Sequence, residues 1–140
     1  MPQKLESELF FSYNPKVVNL QLIFLLLWTV SGFVLIYITP RFFLSYIIPL
    51  LGFSLFFYLK KAYKGNYLEI KGHRLTYGSV YKTEIDLRDA RRIKSLGEDF
   101  IIKTNHGNYT IKTKFLLDKK RQLLFDFFLE YSENHGVIFP

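Results

Sequence analysis

Apolar positions fall along this chain in three successive rhythms. From Leu20 to Thr39, "LQLIFLLLWTVSGFVLIYIT", no residue carries a charge. A helix of about 20 residues rises roughly 30 Å, the thickness of a bilayer's hydrocarbon core. Pro40 and Arg41 interrupt, and Phe42 to Leu59 forms a second uncharged run, "FFLSYIIPLLGFSLFFYL". So short a connection makes the two helices antiparallel neighbours, and Pro49 with Gly52 predicts a kink in the second. A soluble chain of 140 residues has too little other surface to bury two helices that are apolar all round.

From Asn66 the period becomes two. "NYLEIK" sets Leu68 and Ile70 on one face, and Gly72-His73 turns the chain into "RLTYG", so Asn66 to Gly78 reads as a β-hairpin. "KTEIDL" follows with Ile85 and Leu87 inward, then "ARRIKSL" around Ile93. "DFIIKT" and "NYTIKT" are joined by Asn105-His106-Gly107-Asn108, a strong hairpin turn. The pattern predicts about six short antiparallel strands.

The third rhythm is helical. In "FLLDKKRQLLFDFFLEYSENHG", Leu117, Leu124, Phe128 and Tyr131 share one stripe, widened by Leu123 and Phe127. Asp118 is the expected N-cap and Gly136 the expected stop. The predicted class is membrane α+β: a transmembrane helical hairpin, then a small antiparallel sheet or barrel closed by a C-terminal helix. The predicted organisation is an N-terminal cytoplasmic segment 1–19, a hairpin 20–59, a juxtamembrane linker 60–65 and a cytoplasmic domain 66–140.

Charge adds a direction. The formal net charge is +7, and its excess lies almost wholly after Leu59. Lys60, Lys61 and Lys64 adjoin the second span and Lys16 the first, whereas the tip between the spans offers only Arg41. The positive-inside bias therefore predicts two passes with both termini cytoplasmic. Tyr58 and Tyr63 at the basic end, and Tyr37 and Tyr46 near the tip, suit two interfacial belts; Trp28 falls mid-span. The start of the chain, with Lys4, Glu6 and Glu8 and no small-residue cleavage site ahead, does not read as a signal peptide.

The order of elements resembles the bacterial pleckstrin-homology-like membrane proteins, including the YcxB-like group. The matching stretches are "YLEIKGHRLTYG", "EIDLRDARRI", "DFIIKTNHGNYTIKT" and the helix "DKKRQLLFDFFLEY". A full pleckstrin-homology barrel has seven strands. The resemblance implies a bacterial cytoplasmic-membrane protein acting as an accessory subunit, an envelope-stress component or a bacteriocin self-immunity factor.

Candidate chemistry is sparse. The chain has no cysteine, which excludes thiolate metal sites and cysteine nucleophiles. His73, His106 and His135 lie at turns or a helix end without metal-ligand spacing. Glu98-Asp99 and Asp86 with Asp89 sit among basic residues, where solvated charge is the ordinary reading. No phosphate-binding loop, zinc-protease motif or nucleophile elbow occurs, so neither an enzyme nor a cofactor is expected.

The basic residues carry the sharper expectation. Lys60, Lys61 and Lys64 at the bilayer, with Arg91, Arg92 and Lys94 further on, are the candidates for contact with anionic lipid or an interface. Lys112, Lys114, Lys119, Lys120 and Arg121 make another basic run. "RRIK" lacks interleaved aromatics, and membrane tethering already accounts for the charge, so nucleic acid is not an expected partner. The expected function is a non-enzymatic, membrane-anchored scaffold whose cytoplasmic domain binds a protein partner or the anionic inner leaflet. The alternative is a homo-oligomeric assembly that forms a pore or assists a transporter.

Overall fold

The computed structural model describes residues 8–140. Lys4 and Glu6, which entered the signal-peptide reading, lie outside them. The chain is α+β and divides into two compact units, one of residues 15–65 and one in which residues 66–140 are joined by residues 8–14.

The first unit is a helical hairpin. Helix α1 spans Pro15–Ile38 and α2 spans Leu44–Ala62. Both are long and apolar enough to cross a membrane, and at 1.5 Å per residue they measure about 36 and 28 Å. Few of their residues are buried: Thr29 and Gly32 of α1, and Ser45, Pro49 and Gly52 of α2. A Cβ added to Gly32 would come within 2.8 Å of Cδ of Pro49, and one added to Gly52 would strike the Thr29 side chain. Glycine at these two positions lets the helix backbones approach closely, as small residues do between membrane helices. Pro49 stays inside a continuous α2. The hydroxyls of Thr29 and Ser31 donate to carbonyls of their own helix, at 2.8 Å to Leu25 and 2.7 Å to Trp28.

Among the described residues the second unit holds seven strands. These are β1 (Leu9–Ser12), β2 (Asn66–Lys71), β3 (Arg74–Tyr77), β4 (Thr83–Asp86), β5 (Ala90–Leu96), β6 (Asp99–Thr104) and β7 (Asn108–Ile111). The strand absent from the sequence reading is β1. Its "LFFS" lies in the stretch read as an N-terminal cytoplasmic segment, yet Leu9, Phe10 and Phe11 pair with Ile70, Glu69 and Leu68 of β2. The whole α1–α2 hairpin is thus inserted between two neighbouring strands of one sheet.

The predicted β2–β3 hairpin forms with Lys71 opposite Arg74. Its two-residue loop has Gly72 at φ +58°, a position that suits glycine at the head of a type II′ turn. The β6–β7 hairpin closes with Lys103 opposite Asn108, and the Thr104 hydroxyl accepts from the His106 and Gly107 amides.

The strands make two antiparallel sheets, β1-β2-β3-β4 and β5-β6-β7, and no barrel closes. That corrects the expected sheet or barrel in its barrel form, for two reasons. Asp86 caps a 3-10 turn over Leu87–Asp89, its carboxylate accepting from the Arg88 amide, and this turns the chain away at the end of β4. The free edge of β5 is then taken by the C-terminal tail: Ile93 N–H donates to the Ile138 carbonyl at 2.8 Å, and Arg92 bridges Ile138 in parallel.

Helix α3, Asp118–His135, supplies the rest of the core. Leu124, Phe128 and Tyr131 are buried as expected, beside Leu68, Ile70, Leu75, Ile93, Ile102 and Ile111. Phe128 packs on Phe100 of β6 at 5.1 Å between ring centroids. Leu123 and Leu117 belong to the predicted stripe but are exposed, so the buried face is narrower than the pattern suggested. Leu117, not Asp118, holds the N-cap position, without a side-chain bond; Asp118 is the first helical residue and pairs with Arg121 at 3.3 Å. Gly136 ends the helix at φ +65°, as expected.

Candidate functional site

The candidate residues Arg91, Arg92 and Lys94 lie on β5, where the register explains their exposure. Ala90 pairs with Thr104 and Arg92 with Lys103, so Arg91 is the extra residue of a β-bulge. Without the bulge, alternation would turn Arg92 toward the core with Ala90. With it, Ala90 and Ile93 are buried while Arg91 and Arg92 both face out.

From Arg92 onward the three strands run in step. Arg92, Lys103 and Asn108 form one row across the sheet, and Lys94, Ile101 and Thr110 the next row on the same face. Lys112, just past β7, is exposed and continues the outward phase of Asn108 and Thr110. The opposite face carries Ile93, Phe100, Ile102 and Ile111, all buried. The outer face of β5-β6-β7 therefore presents Arg92, Lys94, Lys103 and Lys112, with Ile101 among them and Arg91 beside them on the bulge.

None of these five cations has a carboxylate within 4.0 Å among the described residues. The other sheet behaves differently. On the outer face of β1-β2-β3-β4, Glu69 holds Lys71 at 3.9 Å and Lys82 at 3.4 Å, and Arg74 meets Glu84 at 3.5 Å. That face pairs its charges within itself; on the outer face of β5-β6-β7, Asp99 shares the outward phase of Ile101 and Lys103 but accepts from the Thr113 amide at 3.2 Å and pairs with none of the five cations. Arg92 and Lys103 stand directly across from one another, and like charges so placed destabilise a ladder by a few tenths of a kcal/mol up to about 1 kcal/mol. A bound anion would relieve that repulsion.

The second basic run disperses. Lys112 joins the sheet face, but Lys114 lies over the Phe115 ring at 5.1 Å. Lys120 Nζ donates to the Phe10 carbonyl at 3.2 Å, holding α3 to β1. Arg121 pairs with Glu98 and Asp118. Lys103, which belonged to no sequence cluster, enters the face because β6 is the middle strand.

Lys60 and Lys61 form the last turn of α2 and Lys64 follows it; all three are exposed. In that place they also complement the negative end of the helix dipole.

The carboxylates have local duties. Asp86 holds Arg88 at 2.5 Å, and that hydrogen-bonded guanidinium draws the Asp86 carboxyl down to about 2. Asp99 accepts from the Thr113 amide at 3.2 Å, and the Thr113 hydroxyl donates to the Glu98 carbonyl. Two of the three histidines meet, which sequence spacing did not reveal. His73 Nδ1 lies 3.1 Å from the Tyr131 hydroxyl, and the His135 ring stacks on Tyr131 at 4.2 Å. Burial raises the Tyr131 phenol above its ordinary value, which keeps it a neutral hydrogen-bonding group. The i, i+4 spacing of Tyr131 and His135 was readable; the arrival of the β2–β3 turn was not. His106 lies apart, 3.8 Å from Asp89. Among the described residues no three His, Asp or Glu side chains group as metal ligands. What this arrangement offers chemically is neutralisation of an anionic surface.

No protein family, characterised protein or solved structure matches this chain.

Proposed function

We propose that the chain is a non-enzymatic, membrane-anchored scaffold: the α1–α2 hairpin crosses the bilayer, and the α+β unit docks on the anionic cytoplasmic leaflet. The observation that carries this reading is the outer face of β5-β6-β7, where five cations outnumber Asp99 and none is ion-paired among the described residues, while the other sheet pairs its own charges. Each lysine or arginine near an anionic leaflet contributes about 1 kcal/mol within a Debye length of roughly 8 Å. Ile101 and the exposed Leu96 add apolar contact to the same region.

Connectivity supports two passes. Ser12 and Asn66 are partners in one ladder, so the segments on either side of the hairpin belong to the same side of any membrane it crosses. With Lys16, Lys60, Lys61 and Lys64 at that end and Arg41 at the tip, the side is cytoplasmic by the positive-inside bias.

Because the chain lacks cysteine, Thr110→Cys gives the full-length protein a single labelling site on the face. An environment-sensitive dye there should shift to the blue in proteoliposomes containing anionic lipid, stay unshifted in zwitterionic ones, and revert in high salt. Combining Arg92→Gln with Lys103→Gln should abolish the shift. A signal indifferent to lipid charge would overturn leaflet docking, and recovery of the face only with an acidic protein bound would assign it to that partner instead.

A further inference from the structure

The hairpin carries a groove along one side of its helix pair. Leu20, Gln21, Phe24 and Leu25 of α1 line it with Leu59 of α2 and Tyr63, which caps α2, enclosing about 530 Å³. Leu20 and Phe24 are 70% and 71% exposed, so the groove is open along its flank to whatever surrounds the helices. Its lining is apolar except at one point, where the Tyr63 hydroxyl donates to Oε1 of Gln21. That bond leaves the two N–H donors of the Gln21 amide without a protein acceptor among the described residues.

Cations rim the polar end. At 100° per residue, Lys60 lies about 80° from the middle of the Leu59–Tyr63 face, whereas Lys61 lies on the far side of α2. Lys16 stands one turn ahead of Leu20, and Lys64 directly follows Tyr63. The hairpin, residues 15–65, contains no Asp or Glu. An apolar slot thus meets a pair of amide donors and several basic residues at one end of the hairpin, as a phospholipid's chain meets its ester and phosphate.

We infer that this groove is a binding site for one anionic glycerophospholipid, an acyl chain lying along Leu20, Phe24 and Leu59, its ester or phosphate oxygens accepting from Gln21, and its phosphate facing Lys60. The site is distinct from the β-sheet face, and it rests on the reading that the hairpin spans the membrane. The charge of the slot's rim selects anionic over zwitterionic lipid; the groove itself selects one molecule rather than a diffuse cloud.

The test uses full-length protein purified from an equimolar mixture of phosphatidylglycerol and phosphatidylcholine with identical chains, with retained lipids counted by native mass spectrometry. Wild type should retain one phosphatidylglycerol in preference. Lys60→Gln should lower that retention by about five-fold, the factor one lysine contributes at an anionic surface, and Gln21→Leu should lower it as well. Lys61→Gln removes the same charge from the far side and should leave retention near wild type. Equal losses for Lys60→Gln and Lys61→Gln would reduce the effect to diffuse attraction and overturn the site, as would an unchanged Gln21→Leu. Failure of the spanning reading has a separate signature: release of wild-type protein from membranes by alkaline carbonate.

Discussion

Ser12 of β1 and Asn66 of β2 are partners in one antiparallel ladder although the two longest apolar helices of the chain lie between them. The hairpin is therefore an insertion into a sheet rather than a leader in front of a domain. Phe11, beside Ser12, is 2% exposed, and the Lys120 ammonium sits over its ring at 5.9 Å.

It follows that residues 66–140 alone are an incomplete unit. A chain in which residues 15–65 are replaced by a short Gly-Ser turn should fold as a water-soluble domain with one cooperative urea transition. The fragment starting at Asn66 lacks Phe11, and losing a buried phenylalanine costs about 3–5 kcal/mol. Equal midpoints for the two chains would show that β1 contributes nothing to stability.

The helix side of the core is probed at Leu124, fully buried on the inner face of α3. Leu124→Asp places a charge in the apolar core and should destabilise the turn-linked chain by several kcal/mol. Leu123→Asp, one position away and 55% exposed, should stay within about 0.5 kcal/mol of wild type. Urea titration of both reads the narrow face directly.

Close approach of α1 and α2 makes a second pair of substitutions informative. Gly32→Val pushes a side chain into Pro49, whose Cδ already lies 2.8 Å from the modest position of an added Cβ, and overpacking of this kind costs about 1–3 kcal/mol. Gly65→Ala meets nothing within 4 Å and should be neutral. Thermal unfolding in detergent, followed by far-ultraviolet circular dichroism, separates the two.

Alkaline stability should report Tyr67. Its ring packs between Tyr13 and Phe115, at 5.4 and 5.3 Å, and burial pushes its phenol up to about 12, against a smaller lowering by the Lys112 backbone. A folded pKa above the unfolded value of 10.0 gives stability that is complete below pH 10 and lost as pH rises toward 12. Tyr67→Phe should flatten that limb in urea titrations of the turn-linked chain across this range. A limb unchanged in the variant would assign the loss to other groups.

Membrane direction depends on the basic end of the hairpin. Replacing Lys60, Lys61 and Lys64 together by Gln should weaken the orientation bias, while Arg41→Gln should strengthen it. A reporter fused after Pro140 should read cytoplasmic in the wild type and mixed in the triple variant. A wild-type reporter on the outer side would reverse the topology.

The elements readable from sequence are those whose cause is local. Uninterrupted apolar runs mark α1 and α2 because membrane-length helices satisfy their own backbone. Alternation and Gly-containing turns mark the β2–β3 and β6–β7 hairpins, whose partners are a few residues apart. Leu124, Phe128 and Tyr131 mark the buried stripe of α3 by their spacing alone.

What the sequence determined by itself, then, is the apolar hairpin, the alternation of the strands, the terminal helix and the basic balance of the chain. Tertiary structure decided where these meet. "LFFS" has no turn signal and is too short to declare itself; it is a strand because β2 offers an edge after the hairpin returns. The barrel stays open because the Ile138 tail reaches β5 from the far end of the chain. The basic runs were readable as composition, but only the bulge at Arg91 and the central place of β6 gather Arg92, Lys94 and Lys103 on one face. Periodicity encodes which side of an element is apolar; which elements become neighbours depends on contacts between residues far apart in the chain, and charge becomes a surface only after those contacts form.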